Sequence, residues 1–320
     1  MHPQLQRQPG MISVNKETLK DLAANPDFIS GIYNYCDRWC ERCPFTTRCM
    51  NFALGREEFP DDASRDVRNA EFWEGISGML QATIELLYEM AEERGIDLDA
   101  VDTTAIMAEE ERQREVAQAH PCAAASKAYA DSVDNWFAAA GDLFRQKGEA
   151  LATALRLNLT DVDPGAETNR LSDAVAVIRW HQFQIHVRLM RALQGRHDEE
   201  NLADVLEGFP KDSDGSAKVA LIGIDRSIAA WGKLLRDFPS RETETLEILV
   251  HLDRLRRVVE REFPEARAFV RPGFDFLDAW GWARGRGGSG SANGCPSPHS
   301  PTADLPKPAT RGYNPTCSGG

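Results

Sequence analysis

The sequence predicts an all-α protein, a helical bundle of roughly six to eight main helices, and three observations carry that reading. Apolar residues recur at three- and four-residue intervals along most of the chain. No segment alternates as a half-buried strand does, and the short VALIGI at 219–224 sits inside helical spacing. Four Phe-Pro pairs end helical patterns, in EEFP at 57–60, EGFP at 207–210, RDFP at 236–239 and REFP at 261–264. Proline disfavours helix at the residue before it, and the Phe folds back onto the core. Their irregular spacing excludes a solenoid repeat.

Taken in order, residues 1–14 (MHPQLQRQPGMISV) read as a flexible arm without the apolar region of a signal peptide. Residues Pro26 to Cys43 read as a helix in which Phe28, Ile29, Ile32 and Tyr33 lead into a group of cysteines. The next runs from Arg65 to Arg94 with Val67, Phe72, Trp73, Ile76, Met79, Leu80, Ile84, Leu87 and Met90 at helical spacing, and stops at Gly95. Another covers about Asp99 to Gln118. Pro121 suits the first turn of a long helix that carries Tyr129, Val133, Trp136, Phe137, Leu143 and Phe144 toward Leu157. After the turn DVDPGAE comes LSDAVAVIRWHQFQIHVRLMRAL, ending at Gly195. Two further helices lie around 217–238 and 242–263. Neighbours are predicted to pack antiparallel in one domain, with the cysteine segment (15–60) seated on the remaining bundle (61–282). Residues 283–320, rich in Gly, Ser and Pro, read as a disordered tail, which makes Cys295 and Cys317 bystanders.

With 320 residues, 42% of them hydrophobic, the chain can build a core without disulfide staples. Its net charge of −13 opposes a phosphate backbone, so nucleic acid is excluded as a partner. No apolar run approaches the ~20 residues that span a bilayer. The expectation is a cytoplasmic protein, with no membrane partner and with a redox or protein partner that the sequence leaves unidentified. In a reducing compartment, clustered cysteines are metal ligands more often than disulfides.

Four of the seven cysteines fall within CDRWCERCPFTTRC, residues 36–49. On a helix, Cys36, Cys40 and Cys43 lie within an arc of roughly 60°. Pro44 interrupts the helix, and the next four residues let the chain turn so that Cys49 closes the site. This spacing predicts a single four-thiolate centre with Cys36, Cys40, Cys43 and Cys49 as ligands. Arg38, Arg42 and Arg48 offset the double negative charge of four thiolates around zinc or an oxidised 4Fe–4S cluster, with Asp37 and Glu41 partly cancelling them. Trp39, with Tyr33, Tyr35, Phe45 and Phe52, screens the centre from water.

Zinc sites commonly use two short cysteine pairs separated by a longer arm. A continuous run with proline after the third cysteine looks more like an iron–sulfur motif. CERCPFTTRC resembles the Cys-x2-Cys-Pro-x4-Cys segment of the auxiliary-cluster SPASM domains of radical S-adenosylmethionine enzymes, and it is similar to the cluster motif of iron–sulfur nucleases. The resemblance implies that Cys40, Cys43 and Cys49 are cluster ligands, with Cys36 the fourth. It covers about ten residues. In both families a more distant cysteine completes the cluster, and neither family's catalytic activity carries over. The sequence lacks a Glu-x-Lys nuclease signature and the alternating strands and helices of a βα barrel.

Other residues carry weaker signals. Cys122, in a first helical turn, has the position of an activated thiol, although a small packed side chain explains it as well. His181, His186, Glu247 and His251, with Glu71, Glu74, Glu85 and Glu89, are candidates for a second metal site in the bundle. The chain lacks the paired Glu-x-x-His of di-iron bundles, and the first two histidines stand about 140° apart on their helix. No catalytic motif is found. The reading is a 4Fe–4S protein with an electron-transfer or redox- or iron-sensing role. The alternatives are a zinc-stabilised helical scaffold or adaptor for protein–protein interaction, thiols without metal, and a metalloenzyme built around His181, His186 and His251.

Overall fold

A computed structural model describes residues 14–158, 163–201 and 210–275. The chain is all-α, with eight α-helices and no strand among these residues. They are α1 (Lys16–Ala24), α2 (Met50–Glu58), α3 (Ala70–Glu93), α4 (Thr103–Ala119), α5 (Pro121–Arg156), α6 (Pro164–Asn201), α7 (Asp212–Asp237) and α8 (Glu242–Glu262). The tail at 283–320, Cys295, Cys317 and Phe209 of the second Phe-Pro pair lie outside the described residues, as do residues 1–13 of the arm. Val14, the last residue of that arm, is buried and donates its N–H to Glu58 Oε2 at 3.1 Å.

The four long C-terminal helices form the centre. Each of α5 to α8 packs on the next, and α8 closes back on α5, so the core lies inside a four-helix ring. α7 is its most enclosed member, with Ala217, Val219, Ala220, Leu221, Ile224 and Trp231 all buried. Trp136 of α5 and Trp231 of α7 meet edge to face at 5.1 Å. Both indole N–H groups are satisfied inside the core: Trp136 donates to Thr245 Oγ1 at 3.0 Å and Trp231 to the Tyr129 hydroxyl at 3.1 Å.

Helix ends follow local chemistry. Asn15, Asp102 and His120 cap α1, α4 and α5 by accepting backbone N–H groups of the first turn. At the end of α3, Gly95 takes φ +68°, its N–H reaches Glu92 O and the Ile96 N–H reaches Ala91 O. That is a Schellman turn, and it needs a residue free to adopt the left-handed region. The Phe-Pro stops behave alike. Phe59, Phe238 and Phe263 each donate an N–H to the carbonyl four residues back, turn out of the helix with ψ between 68° and 74°, and bury their rings.

Several boundaries move, α4 starting at Thr103 and α7 at Asp212, and one predicted helix is absent. The helix predicted from Arg65 begins at Ala70, because Ser64 and Asn69 bond to nearby backbone oxygens and hold 61–69 in turns. The one predicted to end at Gly195 continues to Asn201. The helix predicted over Pro26–Cys43 does not form. In its place is a strap that runs on to Cys49 (26–49), with three short 3-10 turns at Ile32–Asn34, Cys40–Arg42 and Thr46–Arg48. Gly31 and Arg38 adopt left-handed φ of +72° and +59°, and Asp37 Oδ1 takes the Trp39 N–H.

Candidate metal centre on the cysteine strap

The strap is held by α6, and the reason it is not a helix is visible in where its carbonyls go. Arg188 donates to Asn34 O at 2.9 Å and to Cys36 O at 2.5 Å, and Arg191 reaches Asn34 O at 3.3 Å. Trp180 Nε1 donates to Asp37 O at 2.8 Å, and Gln184 donates to the same oxygen. These carbonyls are therefore satisfied by side chains of another helix rather than by their own. Trp180, Gln184, Arg188 and Arg191 stand at intervals of four, four and three residues, one face of α6. A polar and aromatic stripe at this spacing was the signal for the clamp, and the search of α6 for metal-binding histidines passed over it.

Other elements close around the strap. Arg226 of α7 forms an ion pair with Asp37. The Tyr35 hydroxyl donates to Asp212 Oδ1 at 2.9 Å, and its ring meets Phe269 at 4.7 Å. Burial, with Asp212 alongside, pushes the Tyr35 phenol up to about 12. Gly215 of α7 makes that fit possible, since a Cβ there would lie 2.3 Å from the Tyr35 ring. On the far side, Phe45 packs edge-on against Phe274 at 5.2 Å.

Cys36, Cys40, Cys43 and Cys49 are half-buried free thiols. Burial pushes the Cys40 thiol up, and the sulfurs of Cys36, Cys43 and Cys49 add to the rise in that order. Cys43 is likewise raised, first by burial and then by Cys36, Asp37 and Cys49, while the Phe45 N–H opposes the change. The four sulfurs thus lie within one electrostatic neighbourhood, although no helix lines them up. The Phe45 N–H points at Cys43 Sγ at 3.4 Å across Pro44. An amide so placed stabilises a thiolate. Among the described residues, no three His, Cys, Asp or Glu side chains are grouped as a single bound ion requires.

The predicted surroundings divide. Trp39 stacks on Trp180 at 4.9 Å and carries the Arg42 guanidinium 3.9 Å above its ring. Arg42 also pairs with Asp173 at 2.6 Å, and Arg48 turns to Asp27 O at 3.3 Å. The cation brought to the strap is the buried Arg188 of α6, whose pKa is lowered by burial and by Arg191 but raised by Cys36.

The second set of candidates is used otherwise. His186 Nδ1 pairs with Ser126 Oγ at 2.9 Å, His251 Nε2 with Ala125 O at 2.8 Å, and His181 Nδ1 with Gln184 Oε1 at 3.2 Å. Glu247 is exposed. Of the α3 acids, Glu89 is held by Lys16 and Lys20, and Glu71, Glu74 and Glu85 face solvent. Cys122 is fully buried, and burial pushes its thiol up to about 11, the reverse of activation. Its helix-start amide is bonded instead to His120 Nδ1 at 3.2 Å.

Among the described residues, no helix is long and apolar enough to cross a membrane. No protein-family model, curated protein or solved structure matches the chain.

Proposed function

We propose that Cys36, Cys40, Cys43 and Cys49 hold one 4Fe–4S cluster and that the protein serves electron transfer or redox or iron sensing. The observation that supports this reading is four half-buried thiols carried within residues 36–49 on a strap whose backbone is pinned by α6. Once bound, such a cluster supplies one-electron exchange. The protein's own part is to fix the ligands and to surround them with aromatic rings and a buried cation, both of which tune a cluster's potential.

The two metals ask for different sulfur spacings. A single tetrahedral zinc draws its sulfurs to within about 3.8 Å of one another, given bonds of about 2.3 Å. Among the described residues no three such ligands are grouped, which favours neither metal over the other. A cubane, with iron and sulfide between the cysteines, spaces the same ligands more widely. The zinc-stabilised scaffold is the second reading, favoured by one feature: the strap has little regular structure of its own and is the kind of segment a structural zinc stabilises.

Anaerobic purification followed by iron, sulfide and zinc analysis separates the two. The cluster reading predicts brown protein with about four iron and about four sulfide per chain and a broad band near ~400 nm that dithionite bleaches. All of it is lost when the four cysteines become serine. Colourless protein with about one zinc per chain establishes the scaffold instead. Protein with neither metal sinks both.

A further inference from the structure

Away from the cysteine strap, α3 presents two unlike faces. Gly75, Gly78 and Ala82 are buried on the side where the Phe59 ring lies against Gly75. The opposite side is apolar and bare. Trp73, Leu80, Ile84 and Leu87 are each more than half exposed, and their spacing of seven, four and three residues lines one stripe of the helix. Single exposed leucines are ordinary on a protein surface, whereas a contiguous apolar row marks a place of contact.

At the C-terminal end of this stripe the chain reverses through Gly95, and the 3-10 turn Leu98–Ala100 follows. Ile84, Tyr88, Ile96 and Leu98 form the apolar floor of an open groove of about 720 Å³. Its edge is acidic, with Glu85, Glu92, Asp97 and Asp99. Lys16 and Glu89 also line it, and Glu89 is neutralised by Lys16 and Lys20, which leaves the four other carboxylates in excess. Glu92 and Asp99 have no ion-pair partner among the described residues, and Glu85 receives only the Gln81 amide, at 3.2 Å.

We propose that this groove binds a basic amphipathic helix from a partner protein. The apolar floor takes a stripe of leucine-like side chains, and the acidic edge takes the Lys and Arg that flank it, the helix-in-groove mode of recognition. Charge selects this occupant over two others. A second copy of a chain with net charge −13 would set one acidic edge against another. An anionic lipid surface is repelled for the same reason. The surface needs nothing from the cysteine centre and stands or falls without it.

The probe is a fluorescein-labelled peptide of about 18 residues with Leu on one face and Lys and Arg on the other, titrated with the full chain and read by anisotropy. Binding in the micromolar range is expected at about 50 mM salt, weakening several-fold at about 300 mM. Ile84→Asp, and separately the pair Glu85→Lys with Glu92→Lys, should each weaken it at least about tenfold. All three positions are exposed, so unchanged helical circular dichroism verifies that the variants fold. A peptide of the same composition with its leucines scattered round the helix should also bind at least about tenfold more weakly. The proposal is overturned if the scattered peptide binds equally well, if either variant binds like the parent, or if the parent does not bind. It is overturned too if sedimentation shows a dimer that Ile84→Asp dissolves, because a second copy then owns the stripe.

Discussion

Two residues on α6 decide much at the smallest scale. Arg188 is a buried cation whose guanidinium satisfies the carbonyls of Asn34 and Cys36. Arg188→Met should cost about 1–3 kcal/mol, since it takes the donor from the half-buried Cys36 carbonyl and leaves Asn34 O with Arg191 alone, and Arg188→Lys should restore only part of that, having no planar fork. Urea unfolding measures both. His181 is 1% exposed and its Nε2 has no partner, so burial, with Arg226 nearby, depresses its pKa to about 4 against the counter-pull of Asp37. The sign follows from proton counting. The folded state keeps His181 neutral while the unfolded chain protonates it below about 6.5, so stability is whole above that pH and drains as pH falls toward 4. The full loss is about 3 kcal/mol. His181→Leu should remove this slope, read as the difference between the two proteins' urea midpoints at several pH values.

At the scale of elements, close approach and termination are the themes. Gly215→Ala forces a methyl into the Tyr35 ring, so it should destabilise by about 1–3 kcal/mol and loosen the strap. Adding Tyr35→Leu should recover part of the loss, which thermal unfolding of the single and double variants would show. The Phe-Pro stops make a graded series. Phe238 and Phe263 join the main core, and truncation of either to Ala should cost about 3–5 kcal/mol. Phe59 sits outside that cluster and is 9% exposed, so its truncation should cost less. A finding that all three cost the same would mean that the stops act through proline and not through the buried ring.

At the scale of the whole molecule, the α5–α8 ring and the strap have separate sources of stability. The ring rests on buried apolar surface, and the strap on side-chain clamps, to which the proposed cluster would add its own bonds. If the proposed centre is bound, removing its metal anaerobically with a chelator should therefore leave far-ultraviolet ellipticity nearly unchanged, since the strap contributes only three short 3-10 turns. It should raise protease cutting within 26–49 many-fold. A large loss of helix on chelation would show that the centre also organises the bundle.

What was legible in the sequence is what depends on neighbours along the chain. Helical spacing marked α3, α4, α5, α7 and α8 to within a few residues, Gly95 and Pro121 marked an end and a start, and the Phe-Pro pairs marked stops, because these effects act over three or four residues. The four cysteines stand close along the chain, but the helical face expected to align Cys36, Cys40 and Cys43 does not form. The strap was not legible. Its local apolar spacing suits a helix, yet Arg188, Arg191, Trp180 and Gln184, some 150 positions away, take its carbonyls at hydrogen-bond distance. A backbone group obtains its partner wherever the folded chain supplies one, and only the tertiary structure says that α6, rather than the segment itself, supplies it here.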